Sequence, residues 1–257
     1  VKFGVCAEIS AADTLADAGY DYIELSVASD LIPDSGTAEW AEKRHAIERM
    51  PLLPEAFNSF VRAHKIVGPG ADRELLRRYI QTAMRRASEV GGKIIVLGSG
   101  GARAIPDDFP RAKAIAQFLA FLEHCADCYA ETDVTIVIEP LQQSETNLIH
   151  LVSEGADFAR QIDRPGVRCL ADTFHMEREE EELKSIVDAA DVLAHVHTAD
   201  TGRFAPGTGV YDHTALFRSL HAARYDARLS IEGTIGDDYA EQVRQSLHHL
   251  KAAYAAV

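Results

Sequence analysis

The sequence predicts an α/β protein, a single (β/α)8 barrel spanning residues 1–257. Short apolar runs with strand character recur eight times, and a segment with apolar residues at helical spacing follows each one. Runs such as "KIIVLG" and "VTIVIEP" are apolar on both parities, as parallel strands covered on both faces require. Eight such units in this length match a barrel built from repeated strand, loop, helix and loop. A doubly wound open sheet would have fewer strands and a Gly-rich turn after the first, and "CAEIS" has no such turn.

In order, the strands are "KFGVC" (2–6), "YIEL" (22–25), "EAFNSF" (55–60), "KIIVLG" (93–98), "VTIVIEP" (134–140), "VRCLAD" (167–172), "LAHVH" (193–197) and "RLSIEG" (228–233). Helices are expected over 10–18, 38–50, 71–90, 111–131, 148–162, 178–190, 213–223 and 237–254. Turn signals support these limits: "GYD" after the first helix, "EVGGK" after the third and "DRPGV" before the sixth strand. The acidic run "EREEEE" (177–182) is expected to start the sixth helix, where the macrodipole favours carboxylates.

Composition excludes several function classes. With 47% apolar residues the chain can bury a full core, and no Pro/Gly/Ser-rich linker divides it. A net charge of −14 opposes nucleic-acid partners, whose binding depends on Lys and Arg neutralising phosphates, and opposes an anionic membrane surface. No apolar run approaches the ~18 residues of a membrane span. The first ten residues enter a strand pattern directly, so no signal peptide is expected. Four cysteines without the spacing of a secreted scaffold imply a reducing, cytoplasmic setting. Cys125 and Cys128 fall inside a helix-period segment and read as packing residues.

In a barrel, functional groups sit where strands end and βα loops begin. Strands five to eight end at Glu139, Asp172, His197 and Glu232. Any one of these could simply close a strand. Four in succession form a hard donor set for one divalent metal ion, Mn²⁺ first, with Mg²⁺, Co²⁺ or Zn²⁺ as alternatives. Unpaired, three converging carboxylates would repel one another, and a cation removes that conflict. Around this set, Asn58 could hydrogen-bond a sugar hydroxyl, as could Glu8 and Glu24. "GSGGAR" could form an anion nest with Arg103, or be a plain loop. His195 shares a strand face with His197 and reads as a core histidine or a supporting partner.

"IEP", "DTFHM", "HVHTADTGRFAPGTG" and "LSIEG", in that order and spacing, resemble the signatures of the xylose-isomerase-like TIM-barrel sugar isomerases and epimerases. The similarity is densest over 134–234 and nearest to the ketose 3-epimerase and hydroxypyruvate isomerase branch. It implies metal binding by Glu139, Asp172, His197 and Glu232, and substrate binding by His175, Arg203 and Glu145. Cys6 stands where several ketose epimerases carry an aromatic, which departs from their pattern for stacking the substrate.

The implied chemistry is proton abstraction through a metal-stabilised cis-enediolate, with Glu139 and Glu232 as acid and base. The substrate would be a sugar, a sugar phosphate or a keto acid, and the assembly a homodimer or homotetramer. A dehydratase or lyase of the same superfamily is the main alternative, and a non-catalytic sugar-binding module is a weaker one. An endonuclease-IV-like enzyme would need extra histidines where this chain has Ser59-Phe60 and Gly98-Ser99.

Overall fold

The computed structural model describes residues 1–257. Its strands are β1 (Lys2–Cys6), β2 (Tyr22–Ser26), β3 (Ala56–Asn58), β4 (Ile94–Leu97), β5 (Thr135–Ile138), β6 (Val167–Asp172), β7 (Leu193–Thr198) and β8 (Arg228–Ile231). Each pairs in parallel with the next, and β8 returns to β1, closing a TIM barrel. All eight expected strands are present. Several are shorter than their apolar runs, so Glu139 and Glu232 lie one residue past the ends of β5 and β8.

The helices are α1 (Ala12–Ala18), α2 (Thr37–Glu48), α3 (Arg73–Glu89), α4 (Gly100–Arg103), α5 (Arg111–Thr132), α6 (Val152–Ile162), α7 (Thr173–Arg178), α8 (Lys184–Asp188), α9 (His213–Ala222) and α10 (Tyr239–Ala255). None is long and apolar enough to cross a membrane. Cys125 is buried and Cys128 partly buried on α5, both as free thiols.

Side-chain alternation along the strands makes two cores. Ile23, Phe57, Ile95, Leu97, Ile136 and Ile138 face outward into a cluster of 60 buried residues shared with the helices. Tyr22, Ala56, Ile94, Val96, Val137 and Leu170 point inward and fill the barrel. Each fully buried aliphatic or aromatic side chain contributes about 1.5–3 kcal/mol. Tyr22 lies across the lumen because β1 offers Gly4 there: a Cβ on Gly4 would sit 2.3 Å from the ring. At the opposite end from the site, Glu55 accepts from Lys2 Nζ and Arg228 Nε, both at 2.6 Å, and so ties the seam between β1 and β8.

Two local expectations need correction. The segment after β6 is two short helices, α7 and α8, not one helix over 178–190. Asp172 starts α7 at once by accepting from the Phe174 and His175 amides, and the acidic run begins in the last turn of α7 and continues past its end. Its carboxylates serve other segments. Glu181 accepts from Val152 N at 3.0 Å and so meets the N-terminus of α6, where the dipole favours it. Glu179 accepts from Gln143 N and Nε2, both at 2.7 Å, and holds the loop between β5 and α6. The second correction is "GSGGAR", whose last four residues form the one-turn helix α4.

Candidate metal centre and active site

Ladder register brings the four strand-end groups together. β6 and β7 pair Asp172 with His197, and Glu232 N donates to Thr198 O next to it. Glu139 N donates to Leu97 O on the other side. One ligand atom each from Glu139, Asp172, His197 and Glu232 fits within 4.8 Å of all the others. His197 Nδ1 is central: 3.2 Å from Glu139 Oε1, 3.1 Å from Glu232 Oε2 and 3.9 Å from Asp172 Oδ2.

Each group is held from behind. Glu139 has room because Gly98 follows β4; a Cβ there would lie 2.2 Å from Glu139 Oε2. Asp172 commits Oδ1 to capping α7 at 2.7 Å from Phe174 N, and leaves Oδ2 buried with no hydrogen-bond partner. His197 Nε2 lies 3.0 Å from Glu24 Oε1, which turns Nδ1 toward the carboxylates. Glu24 also accepts from Ser230 Oγ at 2.6 Å and pairs with His195 Nε2 at 2.9 Å; all of these residues are fully buried.

The electrostatics follow from this packing. Burial opposes charge on Glu24, but His197 and His195 outweigh it and hold the carboxyl well below its ordinary range. Burial likewise opposes a proton on His197, and Glu24 and Glu232 overcome it, so the imidazole is held well above its usual value. Glu232 is desolvated too, yet His197 and Arg203 bring it down to about 2. Asp172 goes the other way, to about 6, because burial and the Glu232 and Glu139 charges outweigh the help of His175.

The residues fit a divalent cation. Buried polar atoms are ordinarily partnered, and leaving one bare costs about 1–3 kcal/mol or more. Asp172 Oδ2 is such an atom, at the point where two glutamates and an imidazole nitrogen converge. A hard, mostly oxygen donor set of this kind suits Mn²⁺, Mg²⁺ or Co²⁺.

His175 and Arg203 border the same point. His175 is buried, and its Nδ1 accepts from Gln142 N at 3.2 Å, so Nε2 carries the proton, 3.9 Å from Asp172 Oδ2. Arg203 places Nη2 2.5 Å from Glu232 Oε2 and 3.7 Å from Asp172 Oδ2, with its guanidinium 4.8 Å from the centre of the Phe174 ring. Asp200 shapes the Arg203 loop by accepting from the amides of Thr201, Gly207 and Tyr211.

The remaining expected residues are placed less directly. Glu145 is exposed and accepts from Gln142 Nε2 at 2.7 Å, so it touches the residue that orients His175 and not the four-group cluster. Asn58 ends β3 on the rim beside Cys6. Arg103 is corrected: it is fully buried, and its guanidinium donates to the carbonyls of Leu97, Glu139 and Ile149. Its two terminal nitrogens fix the loops behind Glu139. Glu24 is corrected as well, from sugar-binding candidate to buried partner of His197. Gly98 and Asp200 add roles beyond the expected residues, and "GSGG" and the Gly-rich run after Asp200 mark the close backbone approaches behind them.

The profile of the xylose isomerase-like TIM barrel family matches residues 12–253, and the chain belongs to that family. It is similar to a 3-dehydro-D-guloside 4-epimerase from Escherichia coli K12, 32% identical over 185 residues, which cover 68% of this chain and 70% of that one. A ketose 3-epimerase from Arthrobacter globiformis is 25% identical over 84% of this chain and 74% of its own length. Among solved structures, an apo 3-keto-D-glucoside 4-epimerase from E. coli superposes with a TM-score of 0.84 at 24% identity, covering 98% of this chain and 99% of that one. These relatives place the chain with sugar epimerases and isomerases, and so with enzymes of the isomerase class.

Proposed function

We propose that the protein is a divalent-metal-dependent epimerase or isomerase of a sugar or sugar derivative, and that it works by moving a proton next to a carbonyl. The convergence of Glu139, His197 and Glu232 on the unpartnered Asp172 Oδ2 carries this reading. Those four residues would hold the cation, Mn²⁺ by preference. Such a cation supplies a Lewis acid that polarises a carbonyl and acidifies the neighbouring C–H.

The chain's own groups then divide the work. Glu139 enters from the β5 side and Glu232 from the β8 side, so a substrate over His197 has a carboxylate on either flank. Glu232, paired with the Arg203 guanidinium, removes the proton at its carboxylate oxygen. Glu139 returns one, to the opposite face of the same carbon in epimerisation or to the adjacent carbon in isomerisation. His175 Nε2–H and the Arg203 guanidinium donate hydrogen bonds to the oxygen that gains charge, and both are fixed in place before the substrate arrives. The named activities of the two relatives, 4-epimerisation and 3-epimerisation, favour the first outcome.

NMR of the Mn²⁺-loaded protein in D₂O, run against ketoses, keto-glycosides, keto acids and sugar phosphates, tests the reading. One carbon-bound deuterium should enter a stereocentre next to a carbonyl, with no other change in composition. Loss of water from the substrate would instead establish the dehydratase alternative.

A further inference from the structure

Helices α3 and α5 pack side by side on the outer shell, across the barrel from β7 and β8. A groove of about 640 Å³ runs between them. Its two banks carry opposite charge. Arg73, Arg77 and Arg85 stand on one stripe of α3, and Glu123, Asp127 and Glu131 recur every fourth residue along α5. Residues four apart share a helix face. All six side chains are exposed, and all line the groove or the recess that continues it toward Arg73.

Elsewhere on the shell, opposite charges pair within the chain: Arg44 with Glu48 at 2.7 Å, Arg160 with Asp191 and Arg244 with Glu241 both at 2.6 Å. The groove is different. Arg85 pairs with Glu89 on its own helix and Asp127 with Arg164, while Arg73, Arg77, Glu123 and Glu131 have no ionic partner. Both signs therefore face outward, held apart by the width of the groove. A chain of net charge −14 repels a copy of itself overall, so association requires a patch where the signs are locally complementary. These two banks form such a patch.

We infer that the α3–α5 groove is the contact face of a homodimer, with α3 of each copy lying over α5 of the other. Symmetry decides between the possible arrangements, because a two-fold interface must be self-complementary. An axis running across the groove would set α3 on the partner's α3, arginine against arginine. An axis running along the groove sets α3 over the partner's α5 and the reverse, so opposite signs meet twice. That rotation also keeps each residue at its own height. Arg73 and Arg77 share one end of the groove with Glu123, and Arg85 shares the other with Glu131, so each arginine meets the partner's glutamate of its own end. The face lies on the helical shell and leaves the mouth of the barrel open, and the inference is independent of the reaction proposed above.

Sedimentation velocity on the full chain tests this. The unsubstituted protein should sediment as a dimer. Arg73→Glu combined with Arg77→Glu sets like charges face to face and should weaken dimerisation by about 10²-fold or more, and Glu123→Arg combined with Glu131→Arg should do the same. These four side chains have no ionic partner within the chain, so the circular dichroism spectrum should not change. All four substitutions together exchange the two banks and should restore the dimer. Native mass spectrometry of that four-fold variant mixed with the unsubstituted protein should show no hybrid, because like banks would then meet. A monomeric unsubstituted protein, or a dimer indifferent to both double substitutions, would overturn the inference. A hybrid dimer in the mixture would overturn it too, since it requires α3 to lie on the partner's α3.

Discussion

Strands β5 to β8 run into Glu139, Asp172, His197 and Glu232, whereas β1 to β4 run into Cys6, Ser26, Asn58 and Leu97. Strands β5 to β8 place ionisable groups at one point; β1 to β4 contribute space and support. Glu24 on β2 reaches across the barrel to His197 and His195, and Gly98 after β4 leaves room for the Glu139 carboxylate. The difference teaches that a half without the converging groups can still decide their geometry. Three carboxylates around one imidazole are a strained arrangement, and the opposite wall keeps it in shape.

The sharpest attack on this contrast is at the ligand half. Glu232→Gln should lower deuterium exchange by about 10²–10⁴-fold, the range for a general acid or base; ordinary turnover would remove Glu232 from the proton path. In the supporting half, Arg103→Leu should lower stability by about 3 kcal/mol, because charge-assisted hydrogen bonds to three carbonyls are lost. Thermal unfolding gives that loss, and KM for the protein that remains folded should not change. A raised KM with unchanged stability would return Arg103 to the substrate.

Gly98→Ala comes next. Its new Cβ would displace the Glu139 carboxylate, and a shift of about 1 Å costs near 10²-fold in kcat/KM. Circular dichroism should show the barrel intact. The mildest change is Glu24→Gln, which keeps the shape but removes the anion that orients His197. Chelator competition should report metal affinity lower by about 10–100-fold, as is usual when the partner behind a ligand is lost. Unchanged affinity would mean that the β2 wall is passive.

Much of this was legible in the chain because the signals are local. Strand periodicity, the polar residue closing each apolar run and the helix spacing all act within a few residues, so the barrel and the convergence of Glu139, Asp172, His197 and Glu232 could be read directly. What escaped depends on distance. Glu24 meets its histidines across 171 and 173 residues, and nothing near it marks the pairing. Arg103 resembles a loop cation until the carbonyls of Leu97, Glu139 and Ile149 are folded around it. The acidic run carries the charge expected of a helix start, but the helix that Glu181 meets begins at Val152, 29 residues earlier.

Asp172 also has a consequence for how the site can be observed. One oxygen holds the first turn of α7 through the Phe174 and His175 amides, while its twin faces the candidate metal centre. Ligation and the local folding of this turn are therefore thermodynamically linked through a single carboxyl group. Amide exchange at Phe174 should slow as the centre fills, so a backbone proton serves as a built-in reporter of occupancy, without a substrate and without a spectroscopically active metal.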